Sequence, residues 1–150
     1  MANTYASIAI HCVFSTKNRE PIISSDMQER LWAFMGGIAR ENGMKAMAIG
    51  GTSDHVHLLL SLPPTLAVSK AVQAIKGGSS AWIHHTFLGK SGFAWQEGYG
   101  AFSVSKSHIE ETIAYIKNQA EHHRVKSFQE EYLAFLKKHE VPYDERYLWD

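Results

Sequence analysis

Between Tyr5 and Val13 apolar and polar positions alternate, with Ile8 and Ile10 on one side and Ser7, Ala9 and His11 on the other, the period-two pattern of a strand. After a loop from Ser15 to Pro21, the Ser24-Ser25-Asp26 cluster offers a helix cap, and Leu31, Phe34, Met35 and Ile38 recur at helical spacing as far as Asn42-Gly43. A short strand is predicted from Met44 to Ile49, a turn at Gly50-Gly51, and an antiparallel partner from His55 to Leu62 that Pro63-Pro64 stops. Thr65 is the expected cap of a second long helix carrying Leu66, Val68, Val72, Ile75, Trp82 and Ile83, with a bend at Gly77-Gly78. Phe93 to Val104 reads as strand, Ser105 or Ser107 opens a third helix to about Arg124, and a fourth runs from about Ser127 to His139. The order β-α-β-β-α-β-α-α predicts one α+β domain over 1–150: a ferredoxin-like or RRM-like antiparallel sheet with helices on one face, plus C-terminal helices. Such a fold hosts many activities, so function must come from particular residues.

Composition narrows the setting. With 150 residues, 45% of them hydrophobic, the chain can bury a core without disulfides. Cys12 is the one cysteine, and no charged segment followed by an apolar one opens the chain, which points to a cytoplasmic location. The apolar runs fall short of the roughly 20 residues needed to span a bilayer, so no membrane partner is expected. Lysine and arginine total 15 against 15 aspartates and glutamates. A nucleic-acid partner must therefore be met by local potential: Lys70, Lys76, Lys90 and Lys106 lie mid-chain, and Glu29, Glu130, Glu131, Glu140 and Glu145 lie towards the ends.

Two places carry candidate chemistry. On the strand His55-Val56-His57-Leu58-Leu59-Leu60, residues two apart share a face, so two imidazoles point one way and Val56, Leu58 and Leu60 point into the core. Asp54, just before, would orient an imidazole or cap the turn. Taken alone, a His-x-His pair reads more readily as polar surface or hydrogen-bonded packing than as a metal site. On the third helix Tyr115 and Gln119 are four apart and stack on one side, flanking a stripe of Ile109, Ile113, Ile116 and Ala120 expected to be buried. By themselves they fit a tyrosine covering a sheet edge beside a solvated glutamine.

Considered together, the chain resembles the IS200/IS605-type transposases, single-domain Y1 tyrosine nucleases with a His-hydrophobic-His motif. The likeness runs through His11-Cys12-Val13-Phe14-Ser15-Thr16-Lys17-Asn18-Arg19, Asp54-His55-Val56-His57-Leu58-Leu59, Leu62-Pro63-Pro64, Lys76-Gly77 with Ser79-Ser80, Trp95 to Val104, Tyr115-Ile116-Lys117-Asn118-Gln119 and His122-His123. The resemblance implies that Tyr115 is the nucleophile, that His55, His57 and Gln119 are ligands of Mg²⁺ or Mn²⁺, and that single-stranded DNA, with a hairpin at the element ends, is cleaved and rejoined through a 5′-phosphotyrosine. It also implies a homodimer in which the tyrosine helix of one copy docks on the histidines of the other. Gly78, where relatives often carry a larger polar or basic residue, departs from the pattern. For DNA, Lys70 and Lys76 are the candidate phosphate contacts and Trp95, Tyr99 and Phe102 candidate stacking surfaces, although core packing is the favoured reading for Trp95 and Phe102.

A histidine-triad nucleotide hydrolase needs a third alternating histidine where this chain has Leu59, and a phosphoesterase with two His-x-Thr/Ser repeats lacks the second repeat. The remaining alternative is a non-catalytic RRM-like module, or an inactive relative, that binds single strands by stacking. The Lys/Arg-Gly-Phe-type run expected of an RRM is absent.

Overall fold

A computed structural model describes residues 3–87, 89–90, 92–122 and 126–150. Its elements are β1 (Ala9–Ser15), α1 (Ser25–Glu41), β2 (Lys45–Gly51), β3 (His55–Ser61), α2 (Val68–Thr86), β4 (Gly100–Ser103), α3 (Ile109–Lys117), α4 (Gln119–His122) and α5 (Phe128–Lys138). The strands form one antiparallel sheet in the order β2-β3-β1-β4, the arrangement expected of a ferredoxin-like unit, with α3 to α5 added at its C-terminal end. No helix among the described residues is long and apolar enough to cross a membrane.

The alternation along β3 decides what each sheet face holds. Val56, Leu58 and Leu60 join Cys12, Phe14, Met35, Ala71, Val72 and Ile75 in the large apolar core beneath α1 and α2. Their neighbours point the other way, where Leu59 meets Ile116 of α3, and Val13 and Phe102 meet Phe128, Tyr132 and Leu136 of α5. The helix pair α1/α2 therefore covers one face, and the C-terminal helices cover the other.

Four local expectations change, each for a packing reason. Gly50 and Gly51 are not a turn: both belong to β2, and the turn falls at 52–54. A Cβ on Gly50 would stand 2.4 Å from the Ile116 carbonyl oxygen, so the missing side chain lets α3 lie directly on β2. Gly77-Gly78 does not bend α2, which runs unbroken; a Cβ on Gly78 would come within 2.7 Å of Ile38 Cδ1, so that glycine sets how closely α1 and α2 approach. Thr65 does not cap α2, whose N-cap is Ala67. The strand anticipated over Phe93 to Val104 contracts to β4, with Trp95 bridging Thr16 alone.

The third helix also divides. A 3-10 turn at Lys106–His108 leads into α3, and Asn118 breaks the helix before α4. Its anticipated end near Arg124, and His123, lie outside the described residues. The break shifts the phase of the buried stripe: Gln119 becomes buried and Ala120 exposed, the reverse of an uninterrupted helix. Ser127 caps α5 through a capping box with Glu130.

Candidate active site

The site begins at the β2–β3 turn. Asp54 Oδ1 lies 2.8 Å from His55 Nδ1, and the Thr52 hydroxyl lies 3.0 Å from the same nitrogen. With Nδ1–H given to Asp54, a neutral His55 presents a lone pair at Nε2. The atoms facing it are Gln119 Oε1 at 3.0 Å and Glu131 Oε1 at 3.8 Å, both electron-pair donors. Oxygen atoms therefore face both ring nitrogens of His55.

Two residues further along β3, His57 Nε2 is 2.9 Å from Glu131 Oε1, and its Nδ1 is 2.8 Å from Nε2 of His11 on the neighbouring β1. Burial pushes the His11 pKa down to about 3, with the His57 ring adding to the shift, so His11 is neutral near pH 7. A neutral His11 can donate to His57 Nδ1 or accept from it. His57 can thus either give Nε2–H to Glu131 or turn that nitrogen's lone pair to a cation without losing its bond to His11.

Tyr115 reaches the same centre from α3. Its ring centroid is 5.7 Å from that of His57, edge to face, and its hydroxyl donates to Glu131 Oε2. Burial, then the bond and the negative charge of Glu131, push the phenol well above its ordinary pKa. The Tyr115 hydroxyl is thereby held as a protonated donor to that carboxylate.

The donor set fits a divalent ion. His55, His57 and Glu131 are buried and offer one ligand atom each, all within 4.8 Å of one another, and buried Gln119 adds an amide oxygen. A metal bonded at about 2.0–2.2 Å holds adjacent donors roughly 3 Å apart; the His57–Glu131 and His55–Gln119 pairs, at 2.9 and 3.0 Å, have that spacing, and His55 to Glu131, at 3.8 Å, is wider. Two imidazoles with two oxygens suit Mn²⁺ and accommodate Mg²⁺ when phosphate and water complete the shell.

Residues 4–119 match the family described as "Transposase IS200 like". The chain belongs to the IS200-like transposase family. It is similar to the ISDra2 transposase TnpA of Deinococcus radiodurans, 28% identical over 73% of this chain and 81% of that one. The transposase for insertion sequence element IS200 of Salmonella typhimurium is 26% identical over 81% of this chain and 82% of its own. The crystal structure of a putative transposase from Deinococcus radiodurans superposes with a TM-score of 0.66 at 27% identity, covering 79% of this chain and 95% of the other. A REP-associated tyrosine transposase bound to a REP hairpin shares the fold, with a TM-score of 0.55 and 16% identity over 77% of this chain and 68% of its own. This transposase is therefore an enzyme of DNA strand cleavage and transfer, of the Y1 tyrosine class.

The structure brings together His55, His57, Tyr115 and Gln119, and all four belong to one chain. Glu131 of the transposase, read in the sequence as one of the charges towards the chain ends, is 3% exposed and bridges His57 and Tyr115. It lies beyond the family match, and a signal for it existed. Phe128, Glu131, Tyr132 and Leu136 form the buried stripe of α5, so the acid occupies a core position of an amphipathic helix. His11 likewise serves the site, behind His57. Lys70 and Lys76 stand apart on α2, in the opposite layer. Lys70 Nζ lies 3.4 Å from Gln73 Oε1, and Lys76 Nζ donates to the carbonyls of Gln96, Glu97 and Gly98 at 2.6, 3.1 and 2.9 Å. Trp95 and Phe102 are core residues, and Tyr99 is half-buried.

Proposed function

We propose that this transposase cuts and rejoins single-stranded DNA through a covalent 5′-phosphotyrosine on Tyr115, at a divalent-metal site held by His55, His57, Gln119 and Glu131. The observation that carries the reading is the position of Glu131: one carboxylate oxygen faces the histidine pair and the other accepts the Tyr115 hydroxyl. Nucleophile and metal donors thus meet at a single side chain.

Mg²⁺ or Mn²⁺, when bound, would neutralise charge on the scissile phosphate and on the departing oxygen. Tyr115 Oη forms the new bond to phosphorus, the bond from phosphorus to the 3′-oxygen breaks, and the phenolic proton passes to Glu131 Oε2, which already accepts it. The 3′-oxygen leaves as a hydroxyl, taking a proton from water. One phosphate ester replaces another, so rejoining by the reverse attack requires no external energy source.

A hairpin-bearing strand, as held by the REP-associated neighbour, is the proposed substrate in the cytoplasm. The homodimer implied by the family resemblance would dock the tyrosine helix of one copy on the histidines of the other, the same side chains that meet within one chain here.

The test uses labelled single strands from the DNA flanking the gene, with Mg²⁺, Mn²⁺ or EDTA, resolved on a denaturing gel. A metal-dependent protein–DNA adduct should form and be absent from Tyr115→Phe. Binding without adduct or cleavage under any metal would instead mark a non-catalytic single-strand module.

A further inference from the structure

Beside Tyr115 lies a half-open groove of about 330 Å³ that the cleavage chemistry leaves unused. One wall comes from α3 and the turn before it, where His108, Glu111, Thr112 and Tyr115 recur at the spacing of one helix face. Glu131, Ala134, Phe135 and Lys138 repeat the same spacing on α5 and form the opposite wall, and His11 of β1 lies between. Two helix faces therefore enclose a slot whose inner end is the reaction centre.

We propose that this groove is a subsite for the nucleotide immediately 3′ of the cut, the one that stays covalently attached to Tyr115. The inference rests on the tyrosine-nuclease reading above and adds to it where the retained strand lies. Stereochemistry selects the side. In an in-line displacement the departing 3′-oxygen lies opposite the attacking phenol and leaves, while the retained nucleotide stays tethered to Tyr115 by the new ester. The groove shares Tyr115 and Glu131 with the reaction centre, so it is continuous with the retained nucleotide's exit. Its chemistry also suits a nucleotide. Partly exposed Phe135, with Ala134 beside it, offers an apolar wall for a base, the Thr112 hydroxyl and Glu111 carboxylate offer acceptors to a base edge, and exposed Lys126 and Lys138 offer cations to the next phosphate.

The experiment uses the full chain with Mn²⁺ and a strand whose cut position has been read from its tyrosine adduct. Single-turnover adduct formation is timed on the intact strand, on one abasic at the nucleotide 3′ of the cut, and on one abasic 5′ of it. The 3′ lesion should slow the reaction about tenfold or more, and the 5′ lesion much less. Exposed Ala134→Leu, which fills the slot without touching the core, should slow the intact strand to the rate of the 3′-abasic one and lose sensitivity to that lesion, with an unchanged unfolding curve. Equal rates on the intact and 3′-abasic strands, or an Ala134→Leu enzyme as fast and as lesion-sensitive as the parent, would overturn the subsite and leave the tyrosine chemistry standing. Absence of any adduct from the parent enzyme would remove both.

Discussion

The two faces of the sheet are made by the same strands and serve opposite ends. On the α1/α2 face, Phe14, Val56 and Leu58 are fully buried among apolar side chains, and close approach of the helices depends on Gly78. The other face, one residue out of phase, buries His11, His55, His57, Gln119 and Glu131. Burying that many polar groups is unfavourable unless each is bonded. Among the described residues no buried side-chain nitrogen or oxygen lacks a partner. The first face supplies stability, and the second is a polar network held in shape by it.

A pair of substitutions separates the two roles most sharply. Leu58→Ala removes a fully buried side chain from the apolar face and should cost about 2–5 kcal/mol in urea denaturation, while the protein that remains folded keeps its Mn²⁺ affinity. Glu131→Gln keeps the volume, and its amide can still accept from Tyr115 and donate to a lone pair on His57, so stability should fall by less than in Leu58→Ala. Mn²⁺ affinity, followed by electron paramagnetic resonance of the free ion, should nevertheless fall by about tenfold or more, roughly the loss of 1.4 kcal/mol. Equal destabilisation by both substitutions, with unaltered metal binding in Glu131→Gln, would erase the distinction.

The legible parts were those set by local rules. Alternation around His55 and His57 predicted their common face, Ser24 lies where the start of α1 was expected, and Ser127 caps α5. Parts set by contacts between distant segments were not legible. Gly50 and Gly51 look like a turn because nothing near them in sequence reveals that Ile116 will pack on the strand. Gln119 was placed on a helix flank because the phase shift at Asn118 follows from tertiary packing rather than a strong breaker. Glu131 follows Glu130, and an acidic pair in a first helical turn is an ordinary solvated arrangement near the positive end of the dipole. Its partners, His57 and Tyr115, are 74 and 16 residues away along the chain.

The polar face should also respond to acid where the apolar face does not. His11 has its pKa lowered to about 3 in the fold, against an ordinary value of 6.5, chiefly by burial. Above pH 6.5 it is neutral in both folded and unfolded chains, and stability is unaffected. As pH falls below 6.5 the unfolded chain takes up a proton that the folded chain refuses, so stability declines until the folded group titrates near 3. From pH 6.5 to 5 this should amount to about 2 kcal/mol, and it should be missing in His11→Gln when urea midpoints are compared across that range. An identical pH slope in the variant would place the acid sensitivity elsewhere.

The smallest expected effect tells which face meets the DNA backbone. Lys76 lies in the α2 layer beneath three carbonyl oxygens, half-buried, with burial lowering its pKa to about 8. An ammonium so engaged has its donors committed, and releasing it to a phosphate would leave those carbonyls without it. Lys138 is exposed at the rim of the groove beside Tyr115. Each lysine that displaces counterions from a single strand adds about 0.7 to the slope of log affinity against log salt. Lys138→Gln should therefore flatten that slope by about 0.7, whereas Lys76→Gln should leave it unchanged even if it loosens the loop at 96–98. The reverse result would put the DNA path across α2, where Lys70 also stands, and away from the face that holds Tyr115.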